Sequence, residues 1–196
     1  MRPRKLFILG IVFVLLLSMV GSASADFKKG KVSGNQFSTA EGISFLVPPT
    51  FSLSAQQNKK DGFFRIILGG PTDAKGFGPA IVIDILPSKK LVDDYSAKQL
   101  MQDIVKYPIA ASVDKYTEAC VIGDKLFDDH GTMTRENLVV FRLNRFSEGR
   151  VAFSYSFCYS TGKNFVRASY LCFGAQRTLT EDIPAFMDLY NSLIVP

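Results

Sequence analysis

The stretch that most constrains the fold is VAFSYSFCYSTGKNFVRASYLCF, residues 151–173. Two alternating runs flank Thr161-Gly162, and a period of two with a turn signal between the runs predicts an antiparallel hairpin. Val151, Phe153, Tyr155 and Phe157 share one face with Val166, Ala168 and Tyr170, and that face is expected to be core. Ser154, Ser156 and Cys158 share the other with Phe165, Arg167 and Ser169. This second face reads in two ways. It is an ordinary solvated face, since antiparallel sheets often wet one side. Or it is a shallow groove with an arginine fork placed for an anionic ligand or partner. Arg65 and Arg142 also fall inside expected strands, so Arg65, Arg142, Arg167, Ser154 and Ser156 are the candidate binding residues.

The other strands follow from similar signals. Asp26 to Gln36 is polar and rich in Gly and Lys, and is expected to be a loose start. Ile43 to Val47 reads as a strand ended by two prolines, with Phe51 to Leu53 extending it past a turn. FFRIIL (63–68) and AIVIDIL (80–86) are strands rich in β-branched residues, joined by the loop GGPTDAKGFGP (69–79). That loop lacks the Gly-x4-Gly-Lys-Ser/Thr spacing of a phosphate cradle, and a strand follows it rather than a helix. Ser96-Ala97-Lys98-Gln99 is a capping box, and Leu100, Met101, Ile104 and Val105 line one face of the helix it opens. Tyr116–Ile122 and Asn137–Leu143 read as strands leading into the hairpin. Thr180 caps a last helix, with Ile183, Phe186, Met187, Tyr190 and Leu193 in a stripe at 3.6 spacing. Strands, helix, strands, helix, with hairpin connections, describe an α+β domain: a single, meander-rich antiparallel sheet flanked by helices.

The chain begins with a three-part leader. Arg2, Arg4 and Lys5 precede an apolar run from Leu6 to Val20, and Ala23-Ser24-Ala25 fits the small-x-small pattern read by signal peptidase. Residues 1–25 are therefore expected to be a signal peptide, cleaved after Ala25, with 26–196 a single domain in the periplasm or outside the cell. The run of 15 apolar residues is short for a membrane span, which takes about 20. No later run is long enough, so no membrane span is expected after leader removal. The leader holds three of the 23 basic residues and none of the acidic ones, leaving 20 against 18. No Lys/Arg cluster marks a nucleic-acid surface. The lack of an Asn-x-Ser/Thr sequon agrees with a bacterial origin.

An oxidising compartment makes one disulfide plausible among Cys120, Cys158 and Cys172. The expected hairpin register sets Cys172 opposite Val151, on the order of 20 Å from Cys158 at about 3.4 Å per residue. A bridge needs Cα atoms within about 7 Å, so any bridge involves Cys120. Three buried thiols are the equal alternative.

ISFLVPPTFSL, IVIDILPS, SAKQLMQDIV, the meander of residues 151–173 and EDIPAFMDLYNSLIV occur in an order that resembles the PsbP-like α/β/α sandwich family. The resemblance covers most of the chain after the leader. It implies an antiparallel sheet between helices and a binding or accessory role. It carries no site motif, so it transfers no functional residue and no cofactor.

One stretch invites a catalytic reading. FDDHG (127–131) holds the only histidine. A hydrolase built on His130 with Asp128 or Asp129 would need a serine, or Cys120, brought to it by the fold. Adjacent strand residues point to opposite faces, so these three cannot converge without a sharp turn. A polar turn at Gly131 is the simpler expectation. The sequence thus describes an exported, non-enzymatic binding or accessory protein with no metal or cofactor, acting on a protein partner or small ligand. An anion binder using the polar sheet face is the alternative, and a hydrolase around His130 the third reading.

Overall fold

A computed structural model describes residues 27–58, 64–72, 78–87, 116–143, 151–173 and 179–196. Ten strands and one helix are placed among them: β1 (Lys31–Ser33), β2 (Gln36–Ser38), β3 (Ser44–Leu46), β4 (Ser52–Asn58), β5 (Phe64–Gly69), β6 (Ala80–Pro87), β7 (Tyr116–Asp129), β8 (Thr132–Leu143), β9 (Val151–Ser160), β10 (Asn164–Phe173) and α1 (Leu179–Ser192). The capping-box helix expected at 96–105 lies outside the described residues.

The strands form two sheets rather than one. The larger is antiparallel throughout, with strand order β4-β5-β6-β10-β9-β8-β7. The smaller, β1-β2-β3, is built partly from the segment expected to be loose. Its reason is a single aromatic pair: Phe37 and Phe45, opposite each other in register, are buried and stacked at 4.7 Å. Gly34-Asn35 makes the two-residue turn of β1–β2, with Gly34 at φ 60°. The C-terminus extends this sheet, since Ser44 and Ile194 exchange backbone hydrogen bonds of 3.1 and 2.8 Å.

Alternation sets the core. Phe64, Ile66 and Leu68 of β5, Ile81, Ile83 and Ile85 of β6, and Val166, Ala168 and Tyr170 of β10 are all buried in one cluster. Phe37 and Phe45 of the small sheet and Phe186 and Leu189 of α1 belong to the same cluster. The helical stripe is as expected at Phe186 and Tyr190, while Leu189 takes a central place that the stripe had not assigned it.

Two connections deserve their geometry. At the β5–β6 loop the Gly70 N–H donates to the Pro79 carbonyl at 2.8 Å. A Cβ on Gly70 would stand 2.6 Å from Pro79 Cγ, so the neck of this loop closes only with glycine. In the β9–β10 hairpin the turn falls one residue later than expected, at Gly162-Lys163. Thr161 N–H donates to the Asn164 carbonyl at 2.9 Å, and Gly162 takes φ 82°. Cys172 therefore pairs with Phe153, not Val151. A shift of two keeps every side chain on its expected face. Cys158 pairs with Arg167 on the opposite face from Cys172, so these two are not joined to each other. The Cys120 side chain lies outside the described residues.

Candidate functional site

The register lays one row of directly paired residues, most of them polar, across the whole large sheet. Gln57 of β4 stands opposite Arg65 of β5, Arg65 opposite Asp84 of β6, and Asp84 opposite Arg167 of β10. Arg167 is opposite Cys158 of β9, Cys158 opposite Arg135 of β8, and Arg135 opposite Leu126 of β7. Because these seven positions are paired directly from strand to strand, the pleat brings them to the same face.

The centre of the row is a charge cluster. Arg65 Nε donates to Asp84 Oδ1 at 2.7 Å and its Nη2 to Oδ2 at 3.1 Å. Arg167 Nε donates to Oδ2 at 3.0 Å, and its Nη2 also donates to Oδ2. Arg65, Asp84 and Arg167 are 1%, 0% and 4% exposed. Burial alone would raise the Asp84 carboxyl, but the Arg167 and Arg65 guanidiniums outweigh it and hold the carboxyl below its ordinary range.

Next to the cluster runs a strip of small polar groups. Ser156 Oγ donates to Ser169 Oγ at 2.9 Å, and the Ser154 and Ser156 hydroxyls are 3.0 Å apart. All three serines are buried. Asn137, opposite Ser156, donates from Nδ2 to Asp124 Oδ1 at 2.6 Å. Arg135 grips the same carboxylate through Nε and Nη2, at 2.7 and 2.6 Å. The Arg135 hydrogen bonds are the leading cause that holds Asp124 below the usual carboxylate range. Asn137 Oδ1 is buried and accepts no hydrogen bond from the described residues.

Among the candidate binding residues, then, Arg65, Arg167, Ser154 and Ser156 lie on one face. The two arginines converge on Asp84, and the serines belong to the adjoining strip. Position 142 pairs with Glu118 and Val151, well along β8 from the row, and its side chain lies outside the described residues. The expectation of a solvated polar face does not hold here, because Arg65, Asp84, Ser154, Ser156, Arg167 and Ser169 are all buried. Asp84 itself was overlooked in the sequence, though a lone acid inside AIVIDIL was the available signal.

FDDHG is a turn. His130 and Gly131 form the two-residue connection of β7–β8 with φ of 51° and 85°. Two positive φ values are what a type I′ hairpin turn requires. Asp128 Oδ1 accepts the Gly131 N–H at 2.6 Å, while Asp129 Oδ2 accepts the Tyr190 hydroxyl at 3.2 Å. His130 is exposed. Neither aspartate side chain bonds to it, so the turn contains no acid–histidine pair. Burial, with Asp129 alongside, pushes the Tyr190 phenol up to about 12. Near this tip Leu126 and Met133 stand exposed. Among the described residues no group of three or more His, Cys, Asp or Glu side chains gathers as a metal set. No described helix is long and apolar enough to cross a membrane.

No family model matches the chain, and no curated protein sequence does. Solved structures do match. The solution structure of cyanobacterial PsbP (CyanoP) from Synechocystis sp. PCC 6803 superposes with a TM-score of 0.54 over 86% of this chain and 98% of that one, at 15% identity. The fold is PsbP-like. The crystal structure of the Ran-binding protein Mog1p of Saccharomyces cerevisiae superposes with a TM-score of 0.51 over 85% of this chain and 95% of that one, at 12% identity. At such identities the likeness is one of fold, and the PsbP-like frame leaves the chemistry of this chain to its own residues.

Proposed function

We propose that this chain is an exported, non-enzymatic accessory protein that works by binding a protein partner. The observation that carries the reading is the place of its only histidine, exposed in a tight turn with Asp128 committed to the turn backbone and Asp129 to Tyr190. The leader with Ala23-Ser24-Ala25 supports export. A PsbP-like fold that also occurs in a Ran-binding protein supports a binding role. The anion-binding reading has one observation in its favour, the burial and convergence of Arg65 and Arg167. Their forks meet Asp84, however, so an added anion has to compete with a carboxylate already in place.

The test is made in cells that express the full chain with a photo-crosslinking residue at Leu126, Met133 or Ile194, all exposed. The chain is recovered from envelope and cytoplasmic fractions, and its N-terminus and adducts are read by mass. The expected result is a chain beginning at Asp26, outside the cytoplasm, with one discrete protein adduct from at least one position. A full-length cytoplasmic chain, or an exported chain without adducts at all three positions, contradicts the reading.

A further inference from the structure

The large sheet ends at β7, and among the described residues no backbone hydrogen bond reaches the outer side of that strand. Asp124, Lys125, Leu126 and Asp128 are exposed there. A register shift between Val121 and Gly123 bends the strand, so the regular part of the free edge runs from Gly123 to Asp129. In a two-residue hairpin the pair flanking the turn, here Asp129 and Thr132, exchanges both backbone bonds. Alternation then turns the N–H and C=O groups of Lys125, Phe127 and Asp129 towards β8. Those of Asp124, Leu126 and Asp128 point outward, and such an edge is a template for another strand.

We propose that β7 pairs with β7 of a second copy of this chain, antiparallel about a two-fold axis at Phe127, so that the two large sheets become continuous. The proposal does not depend on export. The charges select both the occupant and the register. A two-fold axis at Asp124 or Asp128 would set an aspartate against its own copy. At Lys125 it would set lysine against lysine, and at Leu126 it would set Asp124 against Asp128 of the second copy. Like charges directly opposite are destabilising. An axis at Phe127 sets Lys125 against Asp129 of the second copy on both sides, with outward Leu126 against outward Asp128. The edge is thus complementary to itself, as a closed two-fold contact requires. Phe127 meets its own copy at a non-hydrogen-bonded position, where cross-strand side chains stand closest and aromatic pairs are favourable. Lys125 Nζ already lies 5.5 Å from the Phe127 ring centroid, on the face of the new contact. Asp129 holds the Tyr190 hydroxyl through Oδ2, which leaves Oδ1 for the incoming ammonium. The opposite edge, β4, is broken by a register shift between Leu53 and Ala55, which disfavours an open chain of β4–β7 contacts.

The full chain is sedimented in mild detergent, and a reversible dimer with a Kd below about 100 μM is expected. Leu126→Pro removes an outward N–H and leaves the β8 ladder whole, a place where an edge strand tolerates proline. It is expected to leave a monomer. Lys125→Asp is expected to weaken the dimer at least about tenfold, since two pairs change sign together, and adding Asp129→Lys is expected to regain most of the loss. Register is read by mild oxidation in a Cys120→Ser background. Phe127→Cys is expected to bridge to its own copy, because Cα atoms at such a pair stand about 4.5 Å apart. Leu126→Cys is expected to bridge far more slowly, its two copies being offset along the strands. Should Leu126→Pro fail to fold, Lys125→Asp, a change at an exposed position, decides. A chain that stays monomeric at about 100 μM, a dimer unchanged by Leu126→Pro and Lys125→Asp, or a Leu126→Cys bridge as fast as that of Phe127→Cys overturns the proposal. An edge reserved for a strand of another protein gives the first of these results.

Discussion

Asp84→Ala is expected to lower the unfolding free energy by about 3–5 kcal/mol, the usual cost of removing one partner of a buried ion pair. Asp84 is fully buried and takes bonds from two guanidiniums on the strands either side, so its loss leaves two positive charges facing each other across β6. Against a typical total of about 5–15 kcal/mol, this is a large share. Replacing the three together with apolar residues (Arg65→Met, Asp84→Leu and Arg167→Met) is expected to be milder than the single change, because neither guanidinium is left buried without its aspartate. Urea titrations of the three chains check the order. The same group sets an acid limit. The folded carboxyl is held below its unfolded value. Its stabilisation is therefore fully present above the unfolded pKa of about 3.9 and fades as pH falls from there through the folded value. Unfolding scans between about pH 5 and 2 should lose this part of their slope in Asp84→Asn.

Phe186→Ala is expected to cost about 3–5 kcal/mol, in the range measured for large-to-small changes in packed cores. Phe186 has no exposed surface and contacts three rings of the large sheet: Phe157 at 6.0 Å, Tyr155 at 6.0 Å and Tyr170 at 6.2 Å. Those rings come from β9 and β10, so they cannot follow a lost side chain without bending the sheet. Asp182, one turn earlier, accepts the Tyr170 hydroxyl at 2.7 Å, which fixes α1 against β10 at a second point. The midpoint of denaturation should fall with the slope unchanged, the sign of lost stability without loss of compactness. Met187→Ala on the same helix is only partly buried and should cost less.

Much of this architecture is legible where one face of a strand is strongly apolar. FFRIIL, AIVIDIL and residues 151–173 disclose their strands, and in 151–173 alternation discloses the core face as well, though not that the opposite face is buried too. β1 and β2 are not legible in that way. Each has three residues, and Phe37 is their only buried side chain. The Gly34-Asn35 dipeptide was the usable signal. The ends of β7 and β8 nearest the turn, KLFDDHGTMTRE, are too polar to announce a strand, and the edge position of β7 explains that composition. The charge row escaped for a different reason. Asp84, Arg65 and Arg167 each look like an isolated charge in an apolar strand, and only the order β5-β6-β10 sets them side by side. β6 and β10 are far apart in the chain, and no local pattern encodes their pairing.

The central claim is that the arginine row is closed by its own aspartate and that the chain acts through its surface. Calorimetric titration of residues 26–196 with phosphate, sulfate and acetate tests it most directly. No saturable binding with a Kd below about 1 mM is the predicted result. Saturable binding of any one of these anions, lost in a folded Arg167→Met chain, would contradict the account and make the sheet centre a ligand site.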